Sequence, residues 1–280
     1  MKLFISVDIE GATGVASFSQ CGRADGAHYD YPFARRMLTG DVNAAIRGAR
    51  KAGATEVVVK DAHGNCKNLL VDELEPGTQL ISGFYPRNDY MMDGLDESFD
   101  AAMLVGYHAM AGGLHGMMEH ALAGGVHRFW INGDPAGEIA VSAALAGSYG
   151  VPTVLVTSDQ AGCDEADETI PIVSVHATKE GFGKYMGRMR HPSETWPGIE
   201  SASERAMAGA KAVTPYRIEG PVTLRSEFRT SEEVDYASML PGSTRLDAYT
   251  IELTRPTFRQ AHSAMLTVFQ LAARGRTSGD

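Results

Sequence analysis

The sequence predicts an α/β fold: a mostly parallel sheet flanked by helices, followed by a smaller C-terminal α+β unit. Short strand-like apolar runs alternate with runs of helical period, the pattern of βαβ units. That rhythm breaks once, between Met189 and Gly198, where Pro192, Trp196 and Pro197 cluster. A boundary there separates an α/β unit, residues 1–188, from an α+β unit, residues 199–280.

Lys2 to Asp8 opens the chain as a strand. From Tyr31 to Ala52, the residues Phe33, Met37, Val42, Ala45, Ile46 and Ala49 recur at helical spacing, and Gly53 follows as a stop. Glu56 to Lys60, with Val57-Val58-Val59, completes a βαβ unit. Gln79 to Ser82 is a shorter strand, and Ala101 to Gly106, with Met103-Leu104-Val105, an apolar core strand. Arg128 to Asn132 runs as a strand into the turn signal Gly133-Asp134-Pro135. Glu138 to Tyr149 reads as a helix, Pro152 to Thr157 as a strand, and Ile172 to His176 as the last strand of the first unit. In the second unit, Ser201 to Val213 is an alanine-rich helix and Val222 to Phe228 a strand. Ser231 to Met239 is an acidic helix, Leu246 to Leu253 a strand, and Thr257 to Ala273 the closing helix.

Composition narrows the class. With 280 residues, 44% of them hydrophobic, the chain can bury the core of one large domain or two smaller ones. A net charge of -10 and a pI near 5.4 exclude nucleic acid and anionic membrane surfaces as partners, because both select basic proteins. No apolar stretch reaches the ~20 residues of a membrane span, and no signal peptide is visible. Cys21, Cys66 and Cys163 are too few and too scattered for a disulfide framework, which places the chain in a reducing cytoplasm.

The most informative residues sit at the tip of the first strand, in Ser6-Val7-Asp8-Ile9-Glu10-Gly11. Side chains alternate along a strand, so Asp8 and Glu10 share a side, and Gly11 permits a sharp turn directly after them. Two like charges so placed require a cation, a proton or open water. Functional groups of open α/β sheets collect beyond the carboxyl ends of the strands, and good metal ligands recur at such ends here. Asp61 and His63 follow the second strand, His108 follows Gly106-Tyr107, and Glu138 follows the turn after Arg128–Asn132. His120 lies in the glycine-rich stretch from Gly112 to Gly125. Three carboxylates and two imidazoles, with Asp8 as a natural bridge, suit two divalent ions and leave room for a water. Nitrogen and oxygen donors without thiolate favour zinc, with manganese or cobalt as substitutes. Such a pair activates water and polarises a carbonyl, which is hydrolytic chemistry.

Other features read as structure. His28, His127, His176, His191 and His262 are isolated, and Cys66 reads as a small buried residue. Gly11-Ala12-Thr13-Gly14 lacks the full G-x-G-x-x-G spacing of a dinucleotide loop, and the two acids before it would repel a pyrophosphate.

The segments Ser6-Val7-Asp8-Ile9-Glu10-Gly11 with Gly14, Asp61-Ala62-His63, Asn68-Leu69, Gly106-Tyr107-His108-Ala109, Met118-Glu119-His120 and Ile131-Asn132-Gly133-Asp134-Pro135-Ala136-Gly137-Glu138 resemble, in matching order, the D-aminopeptidases of the dipeptide-transport type, the M55 metallopeptidases. The resemblance resumes at Met239-Leu240-Pro241-Gly242 and in the closing helix. It implies a dinuclear zinc aminopeptidase acting on short peptides or amides with a D-residue at the amino end, assembled as a large ring-like homo-oligomer. Carried over by position, the metal ligands are Asp8, Glu10, His63, His108 and Glu138, and the catalytic histidine is His120. The long loop Gly112-Gly113-Leu114-His115 adds His115 as a further candidate, and Phe84, Tyr85, Tyr90, Met91 and Met92 offer apolar material for assembly. Two other classes remain at this level: another dinuclear hydrolase, such as an amidase, a hydrazidase-like enzyme or a phosphoesterase, and a non-catalytic metal-dependent binding or assembly protein. A phosphoesterase calls for more cations than Lys60 and Arg128, and a structural metal site closes its coordination with four ligands.

Overall fold

The first apolar run becomes the strand around which the larger sheet is laid. The computed structural model describes residues 1–22, 29–84 and 89–276. Its strands are β1 (Lys2–Val7), β2 (Glu56–Asp61), β3 (Gln79–Ile81), β4 (Ala101–Val105), β5 (Val126–Ile131), β6 (Asp134–Pro135), β7 (Thr153–Asp159), β8 (Ser174–Gly183), β9 (Met186–Met189), β10 (Val222–Phe228), β11 (Ser243–Arg245) and β12 (Thr250–Arg255). The helices are α1 (Tyr31–Lys51), α2 (Glu138–Ser148), α3 (Gln160–Thr169), α4 (Pro192–Gly209), α5 (Ser231–Ala237) and α6 (Phe258–Gly275).

The larger sheet has the order β3-β2-β1-β4-β7-β8-β9 and is parallel except for the terminal β8–β9 hairpin. The chain builds outward from β1 in one direction through β2 and β3, then crosses to β4 on the other side. The C-terminal ends of β1 and β4 therefore form the topological switch point, where open sheets of this kind leave a crevice. Alternation in β1 divides the core. Leu3, Ile5 and Val7 pack with α1 and α4 on one face, while Phe4 joins the core under α2 on the other. Ser6 shares Phe4's face, and its hydroxyl bonds Met91 O at 2.7 Å and Tyr107 Oη at 2.7 Å. Helix α2 is apolar around its circumference and buried from Glu138 to Gly147, as a helix covered on all sides must be.

The second sheet is antiparallel, in the order β11-β12-β10-β5-β6. In β10, Val222, Leu224, Ser226 and Phe228 are buried and the intervening residues are not, the alternation of a sheet covered on one face. The expected strand Arg128–Asn132 is thus β5 of this sheet and not part of the parallel one. It pairs with β10, and the turn Asn132-Gly133, both at positive φ, returns it as β6.

Other elements differ from expectation for identifiable reasons. Ile172–His176 is the start of a longer strand, β8, that hairpins into β9. Helix α3 is mostly polar and carries too few apolar residues to announce itself. The break at Met189–Gly198 is largely helix: Pro192 occupies the first turn of α4, where proline is tolerated, and Trp196 and Pro197 lie inside it. Helix α4 packs against α1 and β8, so the expected boundary falls at its head, and β5 pairs with β10 across that division. The expected strand Leu246–Leu253 begins in the turn that follows β11, and strand pairing starts only at Thr250, as β12. Within the apolar cluster at residues 84–92, Met91 and Met92 belong to the core, Phe84 is half exposed, and Tyr85 lies outside the described residues, as does His28.

The close approach of β1's exit to β4's exit depends on Gly11, whose N–H donates to Gly106 O at 2.8 Å. A Cβ at residue 11 would overlap the carbonyl oxygen of Tyr107. Gly11→Ala is therefore expected to cost about 3 kcal/mol of stability, in the range of overpacked cores, read as a lowered urea midpoint. An unchanged midpoint would show that the two strand exits are free to separate.

Candidate metal centre

The two strand ends at the switch point deliver the acids. Asp8 follows β1 directly, its N–H still donating to Val105 O at 2.9 Å, and Glu10 lies two residues on. His63 arrives two residues after β2. His108 arrives three residues after β4, beyond Gly106, whose φ of +75° turns the chain. Glu138 comes from the other sheet as the first residue of α2, and His120 from the loop that leads into β5. The six side chains meet. His63 Nδ1 lies 3.1 Å from both Asp8 Oδ1 and Glu10 Oε2. His108 Nε2 lies 3.6 Å from Asp8 Oδ2 and 3.5 Å from Glu138 Oε1, and His120 Nε2 is 3.7 Å from that same Glu138 oxygen. The rings of His108 and His120 stack with centroids 4.0 Å apart.

Each imidazole is oriented by a backbone carbonyl behind it. His63 Nε2 donates to Cys21 O at 3.0 Å, His108 Nδ1 to Ala109 O at 2.8 Å and His120 Nδ1 to Met118 O at 2.9 Å. The remaining nitrogen of every ring faces the carboxylates, the arrangement in which an imidazole binds a metal ion. Asp8 Oδ2, Glu10 Oε2 and His108 Nε2 are buried with no hydrogen-bond partner among the described residues. Ligand atoms of Asp8, Glu10 and His108, and of His108, His120 and Glu138, converge within 4.8 Å in each set. Buried acceptors aimed at one another call for a cation, and this donor set fits divalent ions.

The electrostatics show the same demand. Burial and the adjacent Glu10 charge push the Asp8 carboxyl up to about 7. Burial works to raise Glu10 and Glu138 as well, but His63 and His108 respectively hold them below the usual carboxylate range. Conversely, burial depresses His63 and His108, and Glu10 and Glu138 override it and raise both well above an ordinary imidazole. His120 moves the other way: burial and the neighbouring His108 both lower it, which favours a neutral ring.

Asp8, Glu10, His63, His120 and Glu138 sit at the base of a cleft of about 430 Å³, with His108 fully buried behind them, and its walls include Phe18, Tyr90, Met91, Leu122 and Arg229. Phe18 meets His120 edge to face, with centroids 5.4 Å apart. Other candidates go elsewhere. Asp61 accepts hydrogen bonds from the N–H groups of Asn68 and Leu69 and from the Asn68 amide, closing a turn. His115 is exposed and does not line the cleft, nor do Lys60 and Arg128. His127 is exposed, His191 caps α4 and His262 is buried in α6. Sequence reasoning missed Phe18, Arg229 and Lys179, none of which lies in a motif.

Lys179 fixes the geometry of the acid-bearing turn. Fully buried on β8, its ammonium donates to Glu10 O, to Ala12 O at 3.1 Å and to Val15 O at 2.6 Å. The carbonyls of Glu10, Ala12 and Val15, within and on either side of the Gly11-Ala12-Thr13-Gly14 turn, thus face a cation, while the Thr13 N–H and hydroxyl bind Asp41 at 2.8 and 2.7 Å. A phosphate-binding loop would instead direct free N–H groups outward.

The Peptidase M55 family model, described as D-aminopeptidase, matches residues 1–267. A D-aminopeptidase of Bacillus subtilis (strain 168) is 32% identical over 275 residues, covering 98% of each chain. Among solved structures, the Zn-dependent D-aminopeptidase DppA from Bacillus subtilis, a self-compartmentalizing protease, is similar with a TM-score of 0.92 and 32% identity, covering 98% of each chain.

Lys179→Met keeps the side-chain bulk and strands three buried carbonyls. It is expected to cost about 3 kcal/mol or more, since each unsatisfied buried group costs about 1–3 kcal/mol, and to accelerate amide hydrogen exchange across residues 10–15. Native-like exchange there in the variant would contradict the clamp.

Proposed function

The chain belongs to the M55 D-aminopeptidase family and is a metallo-aminopeptidase, and from that premise we propose that it is a dinuclear zinc enzyme hydrolysing short peptides or amides with a D-residue at the amino end. The observation that carries the reading is the set of three imidazoles, each anchored from behind by a carbonyl, facing three buried carboxylates in one cleft. Asp8, Glu10, His63, His108 and Glu138 would hold the two ions, Asp8 presenting one oxygen toward His63 and the other toward His108. Zinc matches this nitrogen and oxygen donor set, and manganese or cobalt would be accepted by it. When bound, the two ions supply Lewis acidity, lowering the pKa of a water and polarising the scissile carbonyl.

The chain's own residues supply the rest. His120 is the proton carrier: its Nδ1 is committed to Met118 O, its depressed pKa leaves Nε2 neutral, and that atom points into the cleft beside Glu138. The acid-lined base attracts the substrate's ammonium group, and Phe18, Tyr90 and Leu122 offer an apolar wall to its first side chain. A phosphate ester is a poorer fit, because among the described residues Arg229 is the one Lys or Arg lining the cleft.

Assembly as a closed ring-like homo-oligomer is part of the same proposal, supported by the self-compartmentalizing relative. Exposed apolar side chains at the β8–β9 hairpin, Phe182, Tyr185 and Met186, with Leu114 on the adjacent loop, supply material for an interface. A cytoplasmic setting is supported by three buried free cysteines. Among the described residues no helix is long and apolar enough to cross a membrane.

Elemental analysis of purified protein should find about two divalent ions per chain, and chelation should abolish activity. Asp8→Ala is expected to lose metal, whereas His120→Ala keeps it and loses roughly 10²–10⁴ in kcat. Wild-type turnover by the His120 variant would remove it from the chemistry. Rates on paired D- and L-dipeptides test the stereochemistry, and equal rates would reject the D-preference. Light scattering should report a species many times the 30.0 kDa subunit; a monomer would refute the ring.

A further inference from the structure

The lining of the cleft is electrically lopsided. Its base holds Asp8, Glu10 and Glu138, its walls are mostly apolar or neutral, and Arg229 is its one permanent cation among the described residues. Arg229 stands immediately after β10 and before Thr230, the N-cap of α5, so its backbone is held on both sides. Its N–H donates to Gly125 O at 3.0 Å, and Thr230 closes a capping box with Glu233. The anchor ties it to the segment Leu122, Ala123 and Gly124, which lines the same cleft.

The guanidinium itself is exposed and makes no hydrogen bond or ion pair among the described residues. Its neighbours in the second unit behave differently. Arg225 pairs with Glu252 at 2.7 Å, Arg259 with Asp89 at 3.2 Å and Arg276 with Glu233 at 3.3 Å, and Arg245 pairs with Asp235. In a chain of net charge -10, an arginine held by its backbone at the cleft, with its guanidinium unpaired among the described residues and the acids committed to the base, selects an anion from outside. A ligand that satisfies both ends carries an ammonium and a carboxylate separated by a short backbone. A two-residue peptide spans about 7 Å, within the reach of a cleft of about 430 Å³.

We propose that Arg229 receives the free C-terminal carboxylate of the substrate and so makes the enzyme selective for short peptide acids over their C-terminal amides. The inference rests on the aminopeptidase reading and adds a specificity-determining residue to it. Arginine's planar fork matches a carboxylate through two parallel N–H donors, which a neutral amide terminus cannot reciprocate. Longer peptides carry their carboxylate past this point and lose the contact.

The test compares a D-alanyl dipeptide with the same dipeptide amidated at its C-terminus, using the metal-loaded protein. The wild-type KM should be about tenfold lower for the acid, the scale of one charge-assisted pair. Arg229→Gln should raise the KM of the acid about tenfold and remove the preference, with kcat on the acid little changed, and Arg229→Lys should restore part of it. Equal KM values for acid and amide in the wild type, or a variant that shifts both alike, would overturn the assignment. Failure of the wild type to turn over either peptide would count against the aminopeptidase reading instead. The same pair is then compared by calorimetric binding, where an acid preference abolished by Arg229→Gln supports the proposal and equal affinities overturn it.

Discussion

Three carboxylates buried in one cleft, Asp8, Glu10 and Glu138, each exposed by 5% or less, set the terms for the surrounding structure. Two like charges about 4 Å apart repel by about 4 kcal/mol at an effective dielectric of about 20. That is a large share of the ~5–15 kcal/mol by which a folded chain is stable. Such a cluster persists only if positive charge sits among the acids, so His63 and His108, both raised well above an ordinary imidazole, are turned inward, and the neutral ring of His120 turns in beside them. Each ring's outer nitrogen is then occupied by a carbonyl, which prevents it from rotating away. The cation requirement and the ring orientation are two expressions of one electrostatic constraint.

The constraint reaches beyond the first contacts. The turn that carries Glu10 would place several carbonyl oxygens in the interior, and Lys179 answers three of them from β8. That lysine is itself costly to bury, and burial pulls its pKa down to about 8. It is retained because the alternative is a group of unsatisfied acceptors beside the acids. Asp41 plays the complementary part from α1, receiving the N–H and hydroxyl of Thr13. The acid-bearing turn is thus held by a cation on one side and an anion on the other.

The cleft is also composite. The parallel sheet brings Asp8, Glu10, His63 and His108 to its switch point. Glu138 and Arg229 come from the side of the antiparallel sheet, and His120 from the loop between them. Helix α2 makes this possible: buried around its whole circumference, it packs against β4 and β7 of the parallel sheet and against α6, and presents its first residue to the parallel sheet's crevice. The base of the cleft is therefore shared, Asp8 and Glu10 coming from the end of β1 and Glu138 from the start of α2, while Arg229 on its wall follows β10.

Much of this was legible in the sequence. Continuous apolar runs located β1 and β2, which are buried on both faces, and period-2 and period-3.6 patterns located β10, α1 and α6, where burial of one face leaves a rhythm. The same alternation put Asp8 and Glu10 on one side, and strand ends pointed to His63 and His108. What the sequence could not carry was anything that depends on long-range pairing. It did not show that β5 joins an antiparallel sheet, since a strand's own residues do not name its partner. It did not show the hairpin continuation of β8, the polar helix α3, or that Trp196 and Pro197 lie within α4. Lys179 and Arg229 are ordinary cations in the sequence, distinguished only by what the fold sets in front of them: three inward carbonyls for one and no acid for the other. Residue chemistry and local period are written in the chain, but the pairing that gives a charge its neighbours is decided only when distant segments meet.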